Sequence, residues 1–377
     1  MEMKFSLNKK DIADKLSHLM NVIPSKASMM VLSNFRLDAD VETNEITITA
    51  TDLNVTTIIN ITANVVQSGS LLVSARHLAD IIGSLPDNML INFSVEENQL
   101  KIECGNTNFK IGFIESALFP EIAFIENENT FAIDAQYFKK LVQNTAFCVA
   151  TETYQSICTG VYFRIEDNLL TMAATDTKRI GEVKLKTNFT IGEPYEIVLP
   201  PRALHFLEKN IQSDVNEITM KYDERKICFF LKNIMLISNK YEGKFPTYTV
   251  AFRNIPDINL MLDKNALKDA IRRVSLLSED DDKLITIEMI GKEIIVESFI
   301  SDKGKAKASI SEFEYDGQDA KYCFNSRLLS SLVNAVDTDD VIIKMRSNVE
   351  PIWVLNNETY DDMEIRFVVM PMRMDRY

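Results

Sequence analysis

SARHLADIIGSLP, running from Ser74 to Pro86, recurs in plan as PRALHFLEKNIQS from Pro201 and as SRLLSSLVNAVDT from Ser326. Arg76, Arg202 and Arg327 take matching places, separated by 126 and 125 residues. After each of these helical stretches comes an alternating apolar–polar run, MLINFSV, NEITMKY and DVIIKMR, and then a second strand, KIECG, KICFFLK and IWVLN. Alternation at period two marks half-buried strands.

Working outward, a second echo precedes the first. KFSLNKKDIADKLSHLMNVI from Lys4, TFAIDAQYFKKLVQNTAFCV from Thr130 and LMLDKNALKDAIRRVSLLSE from Leu260 each read as a strand, a polar residue and an amphipathic helix. Ile12, Leu16 and Leu19 recur at helical steps, as do Phe138, Leu141 and Val142, with Phe147 beyond, and Leu267, Ile271 and Val274. That spacing builds one apolar face. Asn8, Asp134 and Asp263 or Asn265 stand where a side chain caps the first amides. The β-branched stretches Asn44–Val65, Asn168–Phe189 and Lys283–Ser301 supply further strands. Each third of the chain thus reads β-α-βββ twice, with two helices and about eight strands. Two helices are too few to cover both faces of a parallel sheet, so an α+β fold follows, with helices on one side of antiparallel sheets. A period near 126 is too long for a solenoid repeat. The expected domains are 1–126, 127–252 and 253–377, with Phe119-Pro120 and Phe245-Pro246 as boundary marks.

Composition agrees with three packed domains. The 377 residues are 46% hydrophobic and 25% charged, with 11 Gly and 10 Pro, which excludes disordered and fibrous classes. Cys104, Cys148, Cys158, Cys228 and Cys323 form no CxxC pair, so neither a zinc ribbon nor a disulfide scaffold is indicated. The start, MEMKFSLNKKDIADKL, has no signal-like apolar core, and no run reaches 18 apolar residues. A soluble protein of a reducing compartment is expected.

Charge is unevenly distributed. The net charge is −14, yet the six helical stretches carry 12 basic and 5 acidic residues, or +7, leaving −21 on everything else. A uniformly basic nucleic-acid-coating protein is excluded. A helix-built positive surface in an acidic body is not, and such a surface binds a polyanion through phosphates without reading sequence.

Catalytic patterns are missing: there is no G-x-x-x-x-G-K-[ST] loop, no HExxH and no GxSxG, and the histidines are His18, His77 and His205 alone. Asp38, Asp40 and Glu42 lack the glycine and closing glutamate of a calcium loop. Glu279–Asp282 reads as a solvated turn. Asp52 and Asp176 read as turn caps, for want of a base or metal partner. No metal, cofactor or enzymatic activity is expected.

The chain resembles the bacterial DNA polymerase III beta subunits, the processivity sliding clamps, over essentially its full length. The resemblance is carried by the Ala-Thr-Asp segments at Ala50–Asp52 and Ala174–Asp176, by Gly243-Lys-Phe-Pro-Thr-Tyr248, and above all by Phe367-Val-Val-Met-Pro-Met-Arg373. It implies three clamp domains closing head to tail as a homodimeric ring around duplex DNA. It also implies a bacterial cytoplasmic, nucleoid-associated protein that tethers polymerases and meets the clamp loader through short linear motifs, with no membrane association. By motif position the implied DNA-facing residues are Lys26, Arg76, Arg202 and, by repeat logic, Arg327, with Tyr154 in a loop where Glu152, Ser156 and Ile157 depart from the family pattern. The implied partner-peptide pocket is Cys158, Thr175, Lys178, Ile180, Pro246, Val250, Val368, Met370, Pro371, Met372 and Arg373; Lys178 and Val250 depart from the commoner histidine and arginine. Phe109, Ile111 and an opposing strand of the third domain are candidates for the dimer contact. A metal-dependent nuclease using the acidic clusters and an interaction scaffold that never surrounds DNA stay open beside this reading.

Overall fold

The computed structural model describes residues 2–24, 29–126, 129–151, 156–278, 283–299, 304–358 and 360–373. Six α-helices stand where the repeats place them: α1 (Lys9–Leu19), α2 (Ala75–Ser84), α3 (Ala135–Gln143), α4 (Pro201–Asn210), α5 (Lys264–Ser275) and α6 (Ser326–Ala335). The apolar positions are the buried ones: Ile12, Leu16 and Leu19 in α1, Phe138, Leu141 and Val142 in α3, and Leu267, Ile271 and Val274 in α5 are all nearly or fully buried. Each such side chain contributes about 1.5–3 kcal/mol on leaving water. The third helix is shorter than its apolar pattern suggests, and Phe147 falls in a separate 3-10 turn, Ala146–Cys148.

Helix starts are held by a device the sequence does not display. The amide of the first residue of α1, α3 and α5 donates to a backbone carbonyl on the chain leading into the strand after the unit's second helix: Lys9 to Met89 (3.0 Å), Ala135 to Asn216 (2.9 Å) and Lys264 to Asp339 (2.8 Å). Asp134 and Asp263 do cap, accepting from Gln136 and Tyr137 and from Ala266. Asn8 makes no side-chain cap bond. Met89 already holds the Lys9 amide.

The chain divides into two compact units, residues 1–139 with 202–240, and residues 140–201 with 241–377. The middle sequence repeat is therefore shared out between its neighbours. In the first unit one antiparallel sheet of thirteen strands joins the first repeat to strands of the second, through Val55–Thr62 paired with Ile234–Asn239 (Thr57 opposite Leu236). In the second unit a nine-stranded sheet joins the second repeat to the third through Arg179–Lys186 paired with Met363–Val369, Ile180 facing Val368. A separate four-stranded sheet completes that unit. Each seam buries backbone donors that would otherwise form an open edge.

Among the described residues no helix is long and apolar enough to cross a membrane, and no cluster of His, Cys, Asp or Glu is arranged to hold a metal ion. Glu279–Asp282 lie outside the described residues. The Asp40 carboxylate accepts from the Glu42 amide (2.9 Å) and the Thr43 hydroxyl (3.2 Å), and Asp38 is engaged by Arg36 and Ser70.

Candidate nucleic-acid interface and peptide groove

The two Ala-Thr-Asp segments fold into the same turn. Asp52 accepts from the amides of Asn54 (3.0 Å) and Val55 (2.8 Å), and Asp176 from those of Lys178 (3.0 Å) and Arg179 (2.9 Å). The preceding threonine clamps the turn from its other side. Thr51 accepts from the Leu53 amide and donates to the Val55 carbonyl; Thr175 does the same with Thr177 and Arg179. The clamp carries Leu53 and Thr177 at φ of 76° and 73°, a left-handed conformation that is costly for a side-chain-bearing residue unless its surroundings fix it. These aspartates build turns, as their sequence context indicates.

From each turn a polar link reaches the second helix of the following repeat. Asp52 pairs with Arg202 at the start of α4. Asp176 instead pairs with Arg179 (2.9 Å), which also donates to the Phe147 carbonyl (2.7 Å) and to Ser331 of α6. Arg202 is thus not a free cation. Its charge is engaged by an aspartate whose side chain is only 6% exposed, which favours a bridging over a purely DNA-facing role. Arg76 and Arg327 are exposed and make no ion pair among the described residues, as is true of Lys10, Lys268 and Arg273. Other helix cations are spent. Lys264 donates to the Val336 carbonyl (3.1 Å) at the end of α6, and Lys140 lies 3.7 Å from Asp337 and over the Tyr360 ring. Half-burial pulls the Lys15 ammonium below its ordinary pKa, with Asp11 partly opposing. Lys26, Glu152 and Tyr154 lie outside the described residues.

The pocket candidates all fall within the second unit. Met370 extends the Met363–Val369 strand, its amide donating to the Lys178 carbonyl (2.8 Å), and the Met372 amide donates to Cys323 (2.8 Å). The terminal segment is thereby laid between the second and third repeats. Cys158, Thr175, Val368 and Pro371 are buried. Ile180, Pro246 and Met372 are half-buried, while Lys178, Val250 (53% exposed), Met370 (37%) and Arg373 are open to solvent. Burial raises the Cys158 thiol, making it an inert apolar filler rather than a nucleophile. Beside the groove, Gly181 has no room for a side chain: a Cβ would lie 2.7 Å from the Asn144 carbonyl oxygen and 3.1 Å from the Cys148 sulfur.

Val250 lies on the 3-10 turn Tyr248–Phe252, and what anchors this turn escaped sequence reasoning. An aromatic row runs Tyr162, Phe245, Tyr248, Phe252, Trp353, with successive centroids 5.1–6.3 Å apart. Glu182, 1% exposed, lies opposite Arg366 across the seam and accepts from its Nε (2.9 Å) and from the Tyr248 hydroxyl (2.9 Å). The Arg366 guanidinium covers the Phe252 ring at 4.2 Å. Burial, reinforced by the Glu182 charge, pushes the Tyr248 phenol well above its ordinary range. The only sequence signal was a lone glutamate and a lone arginine at matching places in two strands 184 residues apart.

Phe109 and Ile111 are half-buried on the strand Thr107–Glu115. That strand pairs with Gly69–Ser74 only from Phe113 onward, which leaves one edge of 107–112 without a strand partner among the described residues. Lys307–Ile310 is likewise an edge strand, bonded on one side to Glu293–Ser298.

Comparison with known proteins accounts for the whole arrangement. Residues 3–123, 132–247 and 254–373 match the N-terminal, central and C-terminal domains of the DNA polymerase III beta subunit in turn. The chain is similar to the beta sliding clamps of Staphylococcus epidermidis (24% identical) and Staphylococcus aureus (23%), each alignment covering 98% of this chain and 99% of the relative. In structure it is similar to the sliding clamp of Bartonella birtlesii (TM-score 0.91, 24% identity) and to the beta subunit of Thermotoga maritima (TM-score 0.89, 19% identity), covering 99% of this chain and 100% of each. Three tandem clamp-fold domains in one chain, matched in order and nearly end to end, mean that the chain belongs to the DNA polymerase III beta subunit family.

Proposed function

We propose that the protein is a sliding clamp, a homodimer that closes as a ring around duplex DNA and tethers the replicative polymerase and other DNA-processing proteins for processive synthesis. The observation that carries this reading is family membership along the full length, all three domains in order. The domains are 1–126, 127–252 and 253–377, and the role is that of a non-catalytic accessory subunit acting in the cytoplasm.

The chemistry supports each part. Exposed helix cations that make no ion pair among the described residues, Arg76 and Arg327 foremost, offer phosphate contacts that carry no sequence information and are salt-sensitive. Lys26 and Tyr154 join them by motif position, and Arg202 contributes a partly neutralised charge. Weak contacts let a duplex slide; the ring prevents escape. The excess of negative charge outside the helices disfavours DNA elsewhere on the surface. The groove from Cys158 to Arg373 takes short linear motifs of the polymerase and the clamp loader, its methionines forming an adaptable apolar wall. Ring closure pairs the open edge at Phe109 and Ile111 of one protomer with Lys307–Ile310 of the other, removing two exposed edges.

Light scattering on the full chain at micromolar concentration and physiological salt tests the assembly. Twice the chain mass is expected. A monomer at that concentration contradicts the ring.

A further inference from the structure

We propose that Glu182, which lies outside the groove, is a positioning residue for partner binding: with Arg366 and Tyr248 it fixes the Tyr248–Phe252 turn and so the wall that carries Val250. The inference rests on reading the groove as the peptide site, and deepens it by naming what sets the groove's shape.

The turn is a single short 3-10 turn, and none of its five residues is fully buried. At its ends the Tyr248 amide donates to the Pro246 carbonyl (2.7 Å) and the Arg253 amide to the Val250 carbonyl (3.4 Å). Its attachment comes through side chains. The Tyr248 hydroxyl donates to Glu182, Phe252 lies under the Arg366 guanidinium, and Trp353 Nε1 donates to the Ala251 carbonyl (3.3 Å). Glu182 and Arg366 face each other on the strands whose far ends carry Ile180 and Val368 of the groove. Removing the carboxylate would leave a guanidinium, itself 16% exposed, with only the exposed Glu364 at 3.6 Å as a partner, and the turn without its hydroxyl acceptor. A fixed turn lets a peptide bind without first ordering the wall; a loose one subtracts that ordering from affinity.

The test uses the full-length protein carrying Tyr248→Phe, which removes one hydroxyl, and Glu182→Gln, which removes the charge. Lys186→Met, an exposed residue at the end of the same strand, is the control. Hydrogen exchange reads the amides of residues 246–253, and fluorescence anisotropy reads a labelled decapeptide selected by display on the wild-type protein and competed by a peptide of the C-terminal segment of a polymerase. The expected result is at least tenfold faster exchange in that segment and three- to tenfold weaker peptide binding for Tyr248→Phe, more for Glu182→Gln, with Lys186→Met unchanged. Should Glu182→Gln not fold, Tyr248→Phe decides alone. Unchanged exchange and a Kd within twofold of wild type in Tyr248→Phe overturn the proposal. Failure of the wild type to bind peptide at the groove overturns the peptide reading instead, while exchange still reports on the turn.

Discussion

The carboxylate of Asp52 holds the guanidinium of Arg202, so the turn after one strand of the first repeat is fastened to the start of α4 in the second. At the next junction the equivalent Asp176 is taken by Arg179, three residues on, and the link to α6 passes through Ser331. The first repeat has Val55 where the second has Arg179. Arg202 is thus bound, while its repeat-mate Arg327 makes no ion pair among the described residues.

The consequence is a split in stability. Arg202→Ala should cost about 1–3 kcal/mol, because a nearly buried aspartate loses a charged donor. Arg76→Ala should stay within about 0.5 kcal/mol, as an exposed side chain with no ion pair among the described residues. Urea melts of the two variants check this, and a cycle with Asp52→Asn should show the first cost to be coupled.

DNA association should follow the other members of the set. Arg76→Ala combined with Arg327→Ala is expected to lower the slope of log affinity against log salt by about 2, one unit for each lost phosphate contact. Peptide binding should be unaffected. Anisotropy with a labelled duplex at several salt concentrations measures the slope; an unchanged slope removes both residues from the DNA surface.

Groove substitutions should do the reverse. Val250→Ala and Met370→Ala each remove an exposed apolar side chain. A loss of about 1 kcal/mol in peptide affinity, roughly fivefold, is expected for each, with melting temperature and DNA salt slope unchanged.

Two lysines spent on structure give a stability prediction that the charge census alone would miss. Lys9, only 8% exposed, donates to the carbonyls of Gly83 (3.3 Å) and Leu85 at the end of α2 and pairs with Asp87 (2.8 Å). Lys264 does the same for α6 through Val336. Lys9→Met should cost about 1–3 kcal/mol in a thermal or urea melt, since buried helix-end carbonyls lose their donor. A cost near zero would mean that water replaces the ammonium.

Alkaline pH should loosen the second seam. The Tyr248 phenol has a folded pKa above its unfolded value of 10.0, so its contribution to stability is whole below about pH 10 and is lost as pH rises beyond it. Melting temperature should therefore fall above pH 10, and Tyr248→Phe should flatten that fall. An identical alkaline profile in the variant would contradict the burial of the phenol against Glu182.

Much of this was legible in advance. The helical faces of α1, α3 and α5 could be read because one apolar residue per turn leaves an unambiguous period. The family could be read because Phe367–Arg373 is a specific signature, matched by the C-terminal domain of the DNA polymerase III beta subunit. What was hidden depends on register between distant strands: that Glu182 meets Arg366, or that Val55–Thr62 continues into Ile234–Asn239 and divides the middle repeat between two compact units. Matching positions also mislead. Arg76, Arg202 and Arg327 are equivalent in the repeat, yet of the three only Arg202 makes an ion pair among the described residues, with Asp52, while the equivalent Asp176 is taken by Arg179.

The central claim is topological, and retention on a closed DNA circle tests it most directly. The protein is loaded on a nicked circular duplex with its clamp loader, isolated by gel filtration at elevated salt, and the circle is then cut once by a restriction enzyme. The account predicts that the protein stays on the intact circle and leaves after the cut, sliding off the ends. Equal retention before and after linearisation, or release from the intact circle as salt rises, would contradict it.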